Sequence, residues 1–320
     1  MSHEVKEAVA KQVDVPRTPE RLQELLTKTS RTFALNIPLL PEPTRCEVTV
    51  AYLLFRIADT LEDATEWPQS RKLAELDRFA AILRRPDDEA AMRLASQWID
   101  GPPCEHEGYL ELLAELPFVL RVTASLAPES RELVRAHTLR TIEGMSSFLA
   151  REDGTELRLR DVKDLQAYCY AVAGIVGEML TELFLKDRDH MQSVASVLRG
   201  LAPTFGEALQ LVNILKDSAW DTGEGRHFLP VGSDTAEVFA LAREDLGKAS
   251  RYVVLLDQAF APRGVVAFTA LPLLLAGATI DRVEERGPGS KITREEVGEI
   301  VARLGNALEQ GTVPALFSEF

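Results

Sequence analysis

Along residues 18–310 the apolar side chains return every three or four positions, and no segment alternates at the period of two that a half-buried strand needs. A chain patterned this way can bury itself only by packing helix faces together, so the sequence predicts an all-α fold. Thr18-Pro19-Glu20 opens the first helix with an N-cap hydroxyl, a proline where no N–H is required and an acidic first turn; Leu22, Leu25 and Leu26 follow on one face. Further helices are predicted over 44–64, 70–83, 88–99, 108–126, 129–150, 162–186, 190–221, 235–260, 262–285 and 293–310. Proline and glycine clusters punctuate them, as at 38–43, 101–103, 153–155 and 287–290. None of these breaks is long or polar enough to separate two cores, and no solenoid period recurs. The expected layout is a flexible tail over 1–17 and one all-α domain over 18–320.

The chain has 320 residues, 46% of them hydrophobic, enough to bury a sizeable core. Its net charge of −14 argues against a nucleic-acid partner, since phosphate-backbone binding needs clustered Lys and Arg. An anionic small molecule would need metal ions or a few placed cations to hold it, which makes carboxylate clusters candidates for metal ligation. Cys46, Cys104 and Cys169 form no C-x-x-C pair and suit a reducing compartment, and residues 1–15 lack the apolar run of a signal peptide. The expected location is therefore cytoplasmic. The least charged stretch, 264–280, contains Pro272 and Gly277 and falls just short of a membrane span, so it reads as a buried helix.

Two polar rows interrupt the apolar pattern. Tyr52, Arg56, Asp59 and Asp63 are spaced four, three and four, so they share one helix face, with Glu62 beside them. Asp59 and Asp63 repel each other at this spacing by about 0.2–0.5 kcal/mol, a cost that a bridging divalent ion removes. The second row is Asn213, Asp217 and Asp221, an amide and two carboxylates at spacings of four. Such oxygen donors suit hard cations. A solvated acidic face or a buried polar ladder would give the same spacings, but two rows on otherwise apolar helices favour a shared magnesium cluster completed by substrate phosphates.

At these residues the chain resembles the squalene and phytoene synthase family of head-to-head prenyl transferases. The match runs in order through Ser30-Arg31-Thr32-Phe33, Asp59-Thr60-Leu61-Glu62-Asp63, Tyr168 to Gly174, Asn213 to Asp221 and Gly225 to Pro230. The resemblance implies a helical bundle around a deep cavity. It also implies Mg2+ held by Asp59, Glu62 and Asp63 and by Asn213, Asp217 and Asp221. Ser30, Arg31, Tyr52, Arg56 and Arg226 match positions that contact diphosphate or line the site, and Arg suits phosphate through bidentate bonding. Tyr168 matches a tyrosine near the reacting carbons. Gly174 and Gly177 match a glycine-bearing stretch where an isoprenoid tail or a neighbouring helix comes close. One departure is Trp220, where many members carry an acid.

The implied activity is ionisation of a prenyl diphosphate and coupling of two of them, farnesyl diphosphate being the expected substrate. Squalene as product calls for NADPH; phytoene or dehydrosqualene does not. The motif at 59–63 looks squalene-type, while Leu273 stands where such relatives often carry a polar residue. A terpene cyclase acting on one prenyl diphosphate, or a silent homologue that binds it, would retain the same motifs. Greasy substrates favour loose contact with a membrane surface, though no basic patch demands it.

Overall fold

The computed structural model describes residues 18–30, 32–151, 157–223, 226–230 and 235–318. The tail expected over 1–17 and Arg31 lie outside the described residues, and so do the side chains of Trp220, Asp221 and Arg226. In chain order the helices are α1 Thr18–Thr29, α2 Phe33–Asn36, α3 Thr44–Glu62, α4 Gln69–Arg84, α5 Asp88–Asp100, α6 Glu107–Ala114, α7 Leu116–Ser125 and α8 Pro128–Leu149. They continue as α9 Val162–Cys169, α10 Ile175–Leu185, α11 Gln192–Gly223, α12 Thr235–Gln258, α13 Arg263–Arg286 and α14 Arg294–Gln310. The predicted all-α class is the observed one.

Helix α11 is the spine: it packs against α10, α12 and α13, while α3 and α10 both pack on α8. Residues 264–280 lie in α13, where Val265 to Leu274 are buried without a break. The helical stretch Val162–Leu185 and α13 are long and apolar enough to cross a membrane, yet 67% and 56% of their most apolar windows are buried inside the fold.

Three local expectations are corrected. The helix predicted over 108–126 is two, α6 and α7, parted at Glu115, because Pro117 cannot donate in a helix interior and instead occupies the first turn of α7. The helix predicted over 162–186 is interrupted by a π-helical turn, Tyr170–Gly174, that inserts between α9 and α10. A two-residue parallel pairing joins β1 Leu157–Arg158 to β2 Arg226–His227, too short to leave an alternating pattern in the sequence.

A glycine crossing explains how α10 and α11 approach. A Cβ at Gly177 would lie 2.0 Å from the Ala202 carbonyl oxygen, and one at Gly206 would lie 2.0 Å from that of Ala173. Any side chain at either position forces the helices apart, so Gly177 serves helix packing. At the far end of the bundle Lys186 pairs with Glu47 at 2.9 Å and donates to Ser130 Oγ at 2.7 Å, with Glu47 and Lys186 side chains only 2% and 9% exposed. This buried pair ties α3, α8 and the end of α10 into one register.

Candidate active site

The polar face of α3 and the glycine-bearing face of α10 and α11 enclose a cavity of about 260 Å³. Tyr52, Arg56, Asp59, Gln210 and Asn213 line it at one end; Val48, Met145, Leu180, Phe268 and Pro272 line the rest. Asp59 and Val48 are about 16 Å apart along α3 by the helical rise per residue, so the space runs from a charged mouth into an apolar depth.

At the mouth the spacing read from the sequence becomes geometry. Asp59, Glu62 and Asp63 each offer a carboxylate oxygen within 4.8 Å of the others, and Glu62 is only 4% exposed. Arg56 Nη1 donates to Asp59 Oδ2, and Arg56 Nε donates to the Tyr52 hydroxyl at 3.3 Å, which in turn donates to the Thr29 carbonyl at 2.9 Å. Burial works against the Arg56 charge, but Asp59, helped by Tyr52 and Tyr109, outweighs it and raises the guanidinium above its ordinary value. The charge is thus fixed in place beside the carboxylates.

Across the cavity, Asn213 and Asp217 stand on α11 with Lys216 between them: its Nζ lies 3.3 Å from Asn213 Oδ1 and 3.0 Å from Asp217 Oδ2. The next turn of chain in space is Gly287–Ser290, held by a 2.7 Å bond from the Gly289 N–H to the Lys216 carbonyl. Asp59 and Asn213 line one cavity, so one member of each row reaches a common space; Glu62, Asp63 and Asp217 are not among its lining residues. The side chains of Asp221, Arg31 and Arg226, proposed from the sequence, lie outside the described residues.

Ser30 Oγ accepts from the Phe33 N–H at 2.9 Å, which caps the short α2 beside the mouth. Tyr168 is 4% exposed and sits between Phe148 and Phe228, with ring centroids 5.2 and 4.8 Å away; it is not among the residues lining the cavity. Leu273 is fully buried, and its neighbour Pro272 is the one that lines the cavity.

Several neighbours of the site went unread in the sequence. Lys216 was masked by its place inside the second row, where a carboxylate count ignores it. Gln210 lies one turn before Asn213 and offers only a neutral amide, which a search for carboxylates passes over. Tyr109 comes from α6, far from α3 in sequence, and nothing in its local pattern marks it. Glu207, on α11 next to Gly206, is pushed up to about 7, chiefly by burial and then by Asp245 and Glu178, against the pull of Lys248. No spacing rule foretells that environment.

A family model described as squalene/phytoene synthase matches residues 26–233. The chain is 31% identical over 226 residues to squalene synthase of Schizosaccharomyces pombe, covering 68% of this chain and 45% of that protein. It is 30% identical over 210 residues to squalene synthase ERG9 of Candida albicans, covering 66% and 45%. The chain therefore spans less than half the length of these relatives. A solved structure of TcSQS with a bound ligand superposes with a TM-score of 0.71 at 24% identity, over 95% of this chain and 92% of that one, a likeness of fold.

Proposed function

Because the chain belongs to the squalene/phytoene synthase family, we propose that it joins two farnesyl diphosphates head to head, through presqualene diphosphate, to a thirty-carbon product. The observation that carries this reading is the polarity of the cavity: carboxylates and a guanidinium at the mouth, and an apolar depth behind them that suits an isoprenoid tail.

The donor set at the mouth fits a hard divalent ion. Asp59, Glu62 and Asp63 supply only oxygen and converge within 4.8 Å, and magnesium takes a few carboxylates together with waters and phosphates. Those residues, with Asn213, Asp217 and Asp221 opposite, would hold Mg2+, which when bound neutralises charge on the departing diphosphate. Arg56 and Lys216 donate to diphosphate oxygens, with Ser30, Arg31, Tyr52 and Arg226 completing the contacts. As the allylic C–O bond breaks, its electron pair leaves with the diphosphate. The second substrate's double bond attacks the cation, and loss of a proton closes the cyclopropane. Val48, Met145, Leu180 and Phe268 keep water away from the cation. Tyr168, which the family resemblance sets near the reacting carbons, is assigned to stabilising positive charge through its ring.

The second ionisation leads to squalene if NADPH donates a hydride, and otherwise to a dehydrosqualene-type product. Incubating the purified full chain with farnesyl diphosphate and magnesium, with and without NADPH, should yield a thirty-carbon hydrocarbon or presqualene diphosphate. Fifteen-carbon products alone would overturn coupling in favour of cyclisation, and no magnesium-dependent diphosphate release would leave a silent homologue.

A further inference from the structure

Arg56 is the one guanidinium described at the mouth, and the structure spends unusual effort on where it sits. Its carbon lies 5.7 Å from the centre of the Tyr52 ring and 5.3 Å from that of Tyr109, so two phenols flank it. Behind Tyr109, the His106 ring stacks at 4.0 Å and 25°. Nη1 goes to Asp59 and Nε to Tyr52, while Nη2 makes no bond among the described residues. A cation seated over ring faces gains attraction from the π cloud without spending an N–H donor on the ring.

The backbone that carries Tyr109 is equally fixed. His106 Nδ1 accepts from the Tyr109 N–H at 3.3 Å and caps α6. Gly108 lets α6 meet α1 directly: a Cβ there would lie 2.4 Å from the Lys28 carbonyl oxygen. Arg21 bonds Glu111 and Glu115, each at 2.7 Å, and Lys28 bonds Glu111 at 2.8 Å, so α6 is clamped to the helix that leads into Ser30. Asp59 and Asp63 are near enough to act on the Tyr109 phenol, which burial above all raises and Arg56 lowers.

We infer that Tyr109 is a positioning residue for diphosphate: its ring, backed by His106, pins Arg56 against Tyr52 so that the free Nη2 edge is presented to a diphosphate oxygen before substrate arrives. This rests on the proposed diphosphate-binding function and adds to it a wall, α6, that neither acidic row contains. Pinning lowers the ordering cost of the bond, which is how a residue that touches no substrate changes affinity.

The test is calorimetric titration of the full chain with inorganic diphosphate in saturating magnesium. Tyr109→Leu should weaken binding about tenfold, the factor expected for loss of a partly desolvated cation–π contact, and Tyr109→Phe, which keeps the ring, should restore it to within about twofold. In an Arg56→Gln background Tyr109→Leu should add nothing, because the two act through one guanidinium. Manganese binding without diphosphate, followed by electron paramagnetic resonance, should stay the same in Tyr109→Leu. Equal and additive losses in both backgrounds, or a Tyr109→Leu protein that binds diphosphate like wild type, would overturn the inference alone. Wild-type protein that takes up no diphosphate would overturn the function it rests on as well.

Discussion

The two acidic rows each send one residue, Asp59 and Asn213, to one cavity but are built differently. The α3 row is set into the fold: Glu62 is buried, Asp59 is bonded to Arg56, and Arg56 is flanked by rings. On α11, Asn213 is exposed and the Asp217 side chain is 44% exposed against 35% for Asp59; the partnering cation, Lys216, is as exposed as Arg56 at 25% but is a lysine on a flexible stem. A row whose cation is flanked by rings is preorganised and loses little on binding. A row balanced by a mobile ammonium must exchange that partner for metal. The first row should therefore set the chemistry and the second should tune metal and substrate uptake.

The sharpest way to break that comparison is to remove one carboxylate from each. Asp59→Asn should lower kcat/KM by roughly 10²–10³, the range for losing one preorganised electrostatic group, with an unchanged thermal melt by circular dichroism. Asp217→Asn should cost less, about tenfold to hundredfold, with more of the loss recovered by raising magnesium. Equal losses insensitive to magnesium would erase the distinction between the rows.

A milder change sharpens it. Lys216→Met frees Asn213 and Asp217, and it should tighten manganese binding about threefold in the absence of diphosphate, as expected for a half-exposed ion pair. No change in a paramagnetic-resonance titration would mean that the lysine does not compete with metal.

The smallest effect concerns the helix that bears the second row. Glu207 has a folded value of about 7, raised by burial above the ordinary carboxyl, so folding favours its protonated form. Near pH 4.5 and below, folded and unfolded chains both carry the proton and Glu207 costs nothing; stability is lost as pH rises from there through about 7. Glu207→Gln should match wild type near the bottom of that window and be more stable at pH 8 by on the order of 1 kcal/mol, a figure already reduced for partial exposure. Chemical denaturation at the two pH values checks it, and a pH-independent difference would remove the burial argument.

What could be read from the sequence follows a physical divide. Periodicity is a property of single helices, so the positions of α1, α3, α4, α5, α8 and α12 to α14 were readable, as was the common face of Tyr52, Arg56, Asp59 and Asp63. The split at Glu115 was missed, although Pro117 marks a helix's first turn there. The π turn at Tyr170–Gly174 was not, because its residues suit an α-helix equally well and tertiary packing decides. At the site, the candidate ligands share a helix and hence a spacing, whereas Tyr109, with His106 stacked on it, reaches Arg56 from another helix. Lys216 was visible as a residue but not as a partner, because its rotamer, not its position, brings it to Asn213 and Asp217. The stacking of Tyr168 between Phe148 and Phe228 likewise joins three distant segments.

The crossing of Gly177 and Gly206 also limits how such an enzyme can be altered. Each position is already at contact with a carbonyl of the opposite helix, so that wall can neither thicken by a methyl group nor recede by losing one. Variation in the size of the cavity must be written into the facing wall, at Val48, Met145 or Phe268, where side chains rather than backbone meet the space. One side of the chamber is a fixed mould and the other an adjustable lining, and a library intended to change the accepted chain length should leave the glycines untouched.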